Sequence, residues 1–228
     1  MKRYMIIGLG NFGISLARKM ELNGCEVLGI DISRELVEIN KDVISQAIIG
    51  DSTNKDLIDS ITPSDFDGAV ICIGQDIASS TLTALYLKES GLKNIIVRAI
   101  TADHGKILTK IGITDVIYPE IEIAEKLANK LSMKNVLDYL PLSEEHGILE
   151  VISPISFIGK NLKQLNLSSR FHCQIIAIKY FPEDNDTHDL TEMISLILPP
   201  TAEDIIKKNS IMVIIGKLSD IKQIEKIH

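Results

Sequence analysis

The residues best placed to do chemistry near the start of the chain are three glycines and a carboxylate. Gly8-Leu9-Gly10-Asn11-Phe12-Gly13 spells G-x-G-x-x-G, and Asp31 lies 23 residues beyond Gly8, close to the roughly 20 expected for a ribose-binding acid. Each glycine in this pattern has a steric duty. Gly8 permits a tight turn, Gly10 lets the backbone approach a pyrophosphate, and Gly13 lets helix pack closely on strand. A helix opening there offers free N–H groups and a positive dipole end to phosphates. Asp31 would accept hydrogen bonds from ribose hydroxyls and repel a 2′-phosphate, which disfavours NADP. The alternative is a glycine-rich turn that binds nothing.

Further candidates end later apolar runs. Asn11, Phe12 and Ile32 flank the same glycine turn and acid. Asp51 and Ser52 follow a third run, where Asp51 either faces adenine or its ribose or caps the next helix with Ser52. Ile73 and Gly74, leading into Gln75-Asp76, close a fourth run over the crevice. Arg98 closes a fifth, as a phosphate ligand or a surface salt bridge. Glu120, with Glu122, follows a sixth. From the residues alone this pair reads as an ordinary acidic complement to a helix N-terminus, with metal ligation the second reading.

Other patterns carry less. Asp184, Asp186 and Asp189 lack the Gly and Glu of a calcium loop and read as a solvated segment. Gly159-Lys160-Asn161 is no P-loop. Histidines 104, 146, 172, 188 and 228 are scattered without a Ser or Cys partner at a recognisable spacing, so the residues favour binding without chemistry. The competing reading is an NAD-dependent oxidoreductase of a small substrate.

The elements needed to hold these residues are plain in the pattern. YMIIGLG, EVLGID, QAIIGD, GAVICIG, NIIVRAI and DVIYP are short apolar runs expected as strands of a parallel sheet covered on both faces. Between them lie helical segments: NFGISLARKMELNG, SRELVEINKD opened by Ser33, IASSTLTALYLKESG and HGKILTKIG. Strict alternation of this kind implies right-handed βαβ units and an open, doubly wound α/β sheet of Rossmann-like type. After IEIAEKLANKLSMKNVLDYL the pattern changes, and Pro141 with the polar run Ser143–Gly147 reads as a boundary. ILEVISP, CQIIAIKYF and SIMVIIG are strands of a smaller α+β unit with a short helix, GKNLKQLN, and a last one, SDIKQIEKI. The expected domains are 1–135 and 136–228.

Composition bounds the function classes. Of 228 residues 45% are hydrophobic and 24% charged, with no Trp and 4% aromatics, so aliphatic side chains must fill an ordinary globular core. A net charge of −7 and the missing aromatic platforms argue against nucleic acid as a partner. The basic start MKRYMIIGLG reads as a first strand and not a signal peptide. No apolar stretch approaches the roughly 18 residues that span a bilayer. Cys25, Cys72 and Cys173 are far apart and read as buried free thiols in a reducing cytosol.

Taken together, the chain resembles the cytosolic regulatory subunits of the Ktr/Trk potassium-uptake systems, built from an RCK (KTN) nucleotide-binding domain and a TrkA-C domain, most closely the Ktr type. The resemblance rests on IIGLGNFG with Asp31, GDST at 50–53, AVICIGQDIASSTLTALYLKESG, NIIVRAI and KILTKIGITDVIYPE. Further on it continues through NVLDYLPLSEEHGILEV, GKNLKQLNLSSRFHCQIIAIKY and PPTAEDIIKKNSIMVIIG. It implies binding of ADP, ATP or NAD(H) in the first domain, and homodimers assembling into an octameric ring. It also implies docking on the cytoplasmic face of a potassium-translocating membrane protein, gated by nucleotide exchange. By resemblance Glu120 matches a divalent-cation position (magnesium or calcium) at a subunit interface, which turns the preference toward a ligand. Many Ktr-type members carry Arg between the second and third fingerprint glycines, reaching a γ-phosphate. Asn11 stands there instead, so ADP or NAD(H) gains weight over ATP. Some members bind cyclic di-AMP between paired C-terminal domains. The corresponding residues are Arg170, Gln174, Ile175 and Pro199, for which a plain dimer interface is the alternative.

Overall fold

A computed structural model describes residues 1–61, 63–132, 135–182 and 192–224. The chain divides into two compact units, Met1–Ile121 and Glu122–His228. The division falls earlier than the 135/136 boundary expected from the sequence, inside a helix.

The first unit runs β1 (Arg3–Ile7), α1 (Asn11–Leu22), β2 (Glu26–Asp31), α2 (Arg34–Asn40), β3 (Gln46–Ile49), α3 (Lys55–Ser60), β4 (Gly68–Ile71), α4 (Ile77–Glu89), β5 (Ile95–Arg98), α5 (Ala102–Lys110) and β6 (Asp115–Ile117). Next comes α6 (Pro119–Ser132), which carries the chain across the division. The six strands pair in parallel in the order β3-β2-β1-β4-β5-β6. The order reverses between β1 and β4, where an open α/β sheet forms its ligand crevice beyond the strands' carboxyl ends. Met5, Ile6, Ile30, Ile71 and Val97 are fully buried, the mark of strands covered on both faces.

The four helices that follow β2 to β5 are each capped by the side chain of the residue just before their first turn. Ser33 accepts from the Leu36 N–H, Asn54 from Asp56, Asp76 from Ala78 and Ser79, and Thr101 from His104. Each bond satisfies an N–H that the helix cannot. At α1 the cap is Gly10, which has no side chain to offer, and its first turn carries no acidic residue.

The second unit contains β7 (Val136–Pro141), β8 (His146–Ile152), α7 (Leu162–Leu165), α8 (Leu167–Phe171), β9 (Gln174–Tyr180), β10 (Ser195–Ile197), β11 (Ser210–Lys217) and α9 (Leu218–Ile224). Its strands form an antiparallel sheet ordered β10-β9-β11-β8-β7. Leu149, Val151, Phe157, Met212 and Ile214 form the core. One expectation needs correction. The polar run 143–147 is no boundary but a hairpin turn, in which the Leu142 and Ser143 N–H groups donate to the His146 carbonyl. Pro141 is tolerated because β7 is an edge strand, where a missing N–H costs no ladder bond. The strands β7 and β10 escape the sequence pattern. The acidic segment with Asp184, Asp186 and Asp189 lies outside the described residues, as does His188. Among the described residues no helix is long and apolar enough to cross a membrane.

Candidate functional site

Beyond the carboxyl ends of β1 to β5, within the first unit, lies a cavity of about 800 Å³. Its walls include Gly8, Gly10, Asn11, Phe12, Asp31, Ile32, Asp51, Ser52, Ile73, Gly74, Arg98 and Glu120. Every candidate drawn from the first unit's sequence is there except Gly13, which sits beneath. Leu36, Cys72 and Ser79 also line the cavity and went unread. Leu36 and Ser79 each lie three residues past a capping residue, Ser33 and Asp76, a spacing that brings first-turn side chains back to the strand ends.

The turn after β1 is built by sterics. Gly8 has φ +95°, and a Cβ there would come within 3.1 Å of the Cys72 carbonyl carbon. A Cβ on Gly13 would overlap the Gly8 carbonyl oxygen and lie 3.3 Å from the Cys72 Cβ. Gly13 therefore sets how closely α1 lies on the sheet. Gly10 differs: its φ of −64° and ψ of −177° suit any residue, and no atom lies within 4 Å of an added Cβ. Nothing in the fold demands glycine there, and the space beside it is open.

Asp31 ends β2 and is held on both oxygens. The Leu9 N–H donates to Oδ2 at 2.6 Å and the Ser33 N–H to Oδ1 at 2.8 Å. A carboxylate can accept about four hydrogen bonds, so acceptor capacity remains toward the cavity. Asp51 accepts from the Thr53 hydroxyl at 2.7 Å and the Thr53 N–H at 2.9 Å. These two bonds, the hydroxyl first, hold its carboxyl below the usual range despite a small opposing effect of burial. Capping of the next helix by Asp51 and Ser52 is not seen: Asn54 caps α3, and Ser52 is buried with its hydroxyl 2.8 Å from that of Thr83 on α4. Asp76 accepts from the Ser79 hydroxyl at 2.6 Å as well as from the Ala78 and Ser79 amides. Led by the Ser79 hydroxyl, these bonds hold its carboxyl low.

Among the described residues Arg98 is the only basic one in the lining, against Asp31, Asp51, Asp76 and Glu120. Its side chain is 21% exposed and ion-paired through Nη2 with Glu120 Oε1, Nε lying 3.4 Å from Oε2. The guanidinium carbon is 5.6 Å from the centre of the Phe12 ring in the first turn of α1. A Cβ on Gly74 would come within 2.8 Å of Arg98 Nη1, so Gly74 leaves room for the guanidinium. Arg98 thus makes the salt bridge, the alternative reading for it. Burial raises the Glu120 carboxyl, but the bonds from its own backbone amide and from Arg98 outweigh this and leave it lowered. Among the described residues no three His, Cys, Asp or Glu side chains cluster as a metal site.

Cys72 forms part of the floor, and burial pushes its thiol up to about 12 while the Arg98 charge pulls weakly the other way. Such a thiol is no nucleophile at neutral pH. Cys25 is half-buried, whereas Cys72 and Cys173 are buried as expected. His104 is 1% exposed on α5 and does not line the cavity. In the second unit, Arg170 lies on α8 with its guanidinium 5.0 Å from the Phe171 ring centre. Gln174 and Pro199 are exposed, while Ile175 is 7% exposed and packs in the core.

A doubly wound parallel sheet with a glycine turn, an uncapped helix terminus and a strand-end Asp over one cavity defines the class of α/β domains that hold nucleotide phosphates. Residues 4–119 match the family model described as the TrkA-N domain, and the chain belongs to that family. It is 35% identical over 225 residues to the Ktr system potassium uptake protein C of Bacillus subtilis (strain 168), covering 99% of this chain and 96% of that one. It is also 35% identical over 224 residues to the Ktr system potassium uptake protein A of the same organism, covering 98% and 96%. Among solved structures, the GsuK RCK domain superposes with a TM-score of 0.66 at 16% identity, over 99% of this chain and 47% of that one. A GsuK channel bound to NAD gives 0.55 at 19%, over 100% and 38%. These two likenesses show the fold, and this chain spans under half the length of either GsuK chain.

Proposed function

We propose that the chain is a nucleotide-sensing regulatory subunit of a potassium-uptake system, with no catalysis of its own. One observation carries the reading: α1 alone of the first five helices opens onto the cavity without a side-chain cap, over a glycine that the fold itself does not require. The pyrophosphate of ADP, ATP or NAD(H) takes the free N–H groups of that terminus. Asp31 takes the adenosine ribose, and Arg98 lies within reach of the phosphates. The near full-length similarity to Ktr potassium uptake proteins supports the transport role. The subunit would work as a homodimer assembling into a ring, at the cytoplasmic face of a separate potassium-translocating membrane protein. Nucleotides would then gate that protein by binding two conformations unequally, since equal affinity shifts nothing.

Two further ligands belong to the same reading. A divalent cation would use Glu120 as one donor, with others supplied by phosphates or a second copy of the chain. Cyclic di-AMP would meet Arg170, Gln174 and Pro199 on the second unit, with Ile175 beneath them. The central test is calorimetric titration with ADP, ATP and NAD(H), combined with potassium flux in liposomes that contain the membrane partner. Tight binding that leaves flux unchanged refutes the regulatory role.

A further inference from the structure

Among the described residues lining the cavity, the one cation, Arg98, is already ion-paired. Arg98 and Glu120 come from the ends of adjacent strands: β5 pairs with β6 so that Arg98 lies opposite Ile117, and Glu120 follows three residues later in the first turn of α6. Both side chains line the cavity, and the guanidinium stands over Phe12, one residue into the open terminus of α1. A phosphate extending beyond that terminus therefore meets an Arg that a carboxylate holds. From this we infer that Glu120 is a specificity-determining residue: a ligand that takes Arg98 through a terminal phosphate must first break the Glu120 pair, so Glu120 moderates the affinity for such ligands and leaves those that do not use Arg98 unaffected. The inference rests on the nucleotide reading above.

The chemistry distinguishes two ligand classes. In ADP or ATP the group beyond the first phosphate ends in a terminal phosphate of charge near −2, able to take two N–H donors of the guanidinium. In NAD the same place is taken by a singly charged internal phosphate followed by a nicotinamide riboside, which brings no second phosphate charge. Glu120 is 61% exposed, and an exposed ion pair is weak enough for a doubly charged competitor to open it. A terminal phosphate wins the exchange and releases Glu120; a riboside does not.

The test is calorimetry of ADP, ATP and NAD binding to the full chain in EDTA, for wild type, Glu120→Gln, Arg98→Met and the double variant. Glu120→Gln frees Arg98 and should tighten ADP and ATP about three- to fivefold, with NAD changing less than twofold. Arg98→Met should weaken ADP and ATP roughly ten- to a hundredfold, and the benefit of Glu120→Gln should vanish in the double variant. Thermal melting confirms folding; both side chains lie at the cavity rim, outside the core clusters. Equal changes for all three ligands, weaker ADP binding in Glu120→Gln, or a benefit that persists without Arg98 overturns the inference while leaving the nucleotide site intact. Absence of all binding by the wild type refutes the site itself, and the inference with it.

Discussion

Replacing Gly10 with alanine should separate what the fold needs from what a ligand needs. Two effects on stability oppose each other. Alanine reduces the freedom of the unfolded chain, a gain of about 0.4–1 kcal/mol where the native φ and ψ already suit it, as −64° and −177° do. Alanine is also a poorer helix cap than glycine, a loss of a similar few tenths to about 1 kcal/mol. With no atom within 4 Å of the new Cβ, no steric cost is added, and the sum is near zero. At about 2–4 °C per kcal/mol for a chain of this size, the melting temperature should move by no more than about 2 °C. Nucleotide affinity should fall at least about tenfold, because the methyl occupies the approach of phosphate to the N–H groups. Gly13→Ala is the counterpart. Its Cβ overlaps the Gly8 carbonyl oxygen, a backbone atom that cannot rotate away, and overpacking of this kind costs about 1–3 kcal/mol or more. Differential scanning calorimetry with and without ADP reads both quantities. A Gly10→Ala protein that binds ADP as wild type does would remove the α1 terminus from the phosphate site. One that melts as early as Gly13→Ala would refute the steric reasoning.

Asp31→Ala strips the Leu9 and Ser33 amides of their acceptor; unfolding in urea should show a loss of about 1–3 kcal/mol, and calorimetry a comparable loss of adenosine-nucleotide binding. Ser33→Ala should cost about 0.5–1 kcal/mol, the low end for a cap because its bond to Leu36 is long at 3.4 Å, with nucleotide affinity unchanged. Burial raises Cys72 from 9.0 to about 12 and Cys173 from 9.0 to about 11, so above pH 9 the unfolded chain releases protons that the folded chain keeps. Stability should be flat with respect to these thiols below pH 9 and fall above it, by up to about 1.4 kcal/mol per unit for each thiol until its folded value is reached; Cys72→Ala should flatten its share in denaturation curves taken from pH 8 to 11. Asn11→Arg places a cation in the first turn of α1, at a destabilising cost of about 0.3–1 kcal/mol from the helix dipole, and should shift preference toward ATP over ADP at least fivefold; an unchanged ratio would show that Asn11 does not discriminate them.

The first unit is readable because its chemistry and its architecture use the same residues. Gly8, Gly13 and Asp31 are dictated together by one turn, one helix contact and one strand end, so their spacing survives in the sequence. The partnerships among the strand-end residues do not survive in that way. That Asp51 would bond Thr53 rather than begin a helix depends on Asn54 being the better-placed cap. That Arg98 would meet Glu120, 22 residues away, depends on the parallel register of β5 with β6, which no local pattern records. In the second unit, β7 merged with the helical run before it, since edge position lets it carry Asp138 and Pro141 without penalty. The strand β10 has three residues, two of them exposed, too few for alternation to declare itself. Leu36 and Ser79 became visible only as wall residues because helix starts, not strand ends, deliver them.

A cavity lined by four acids and one base is an odd place to hold an anion, and the bonding pattern explains how it can. Each carboxylate is already engaged by donors of the chain: Asp31 by Leu9 and Ser33, Asp51 by Thr53, Asp76 by Ala78 and Ser79, Glu120 by Arg98. The one donor set left without an intrachain partner among these helix starts is the α1 terminus, and attraction there is worth only about 0.3–2 kcal/mol from the dipole, besides the hydrogen bonds themselves. On the proposed reading, phosphate would bind there by geometry more than by charge, against a negative background that makes a misplaced phosphate costly. Such a site would suit exchange rather than permanent retention of its nucleotide. A regulator needs that property, because a nucleotide that never leaves reports nothing about its concentration, and a conformational equilibrium can be shifted only by the difference between affinities.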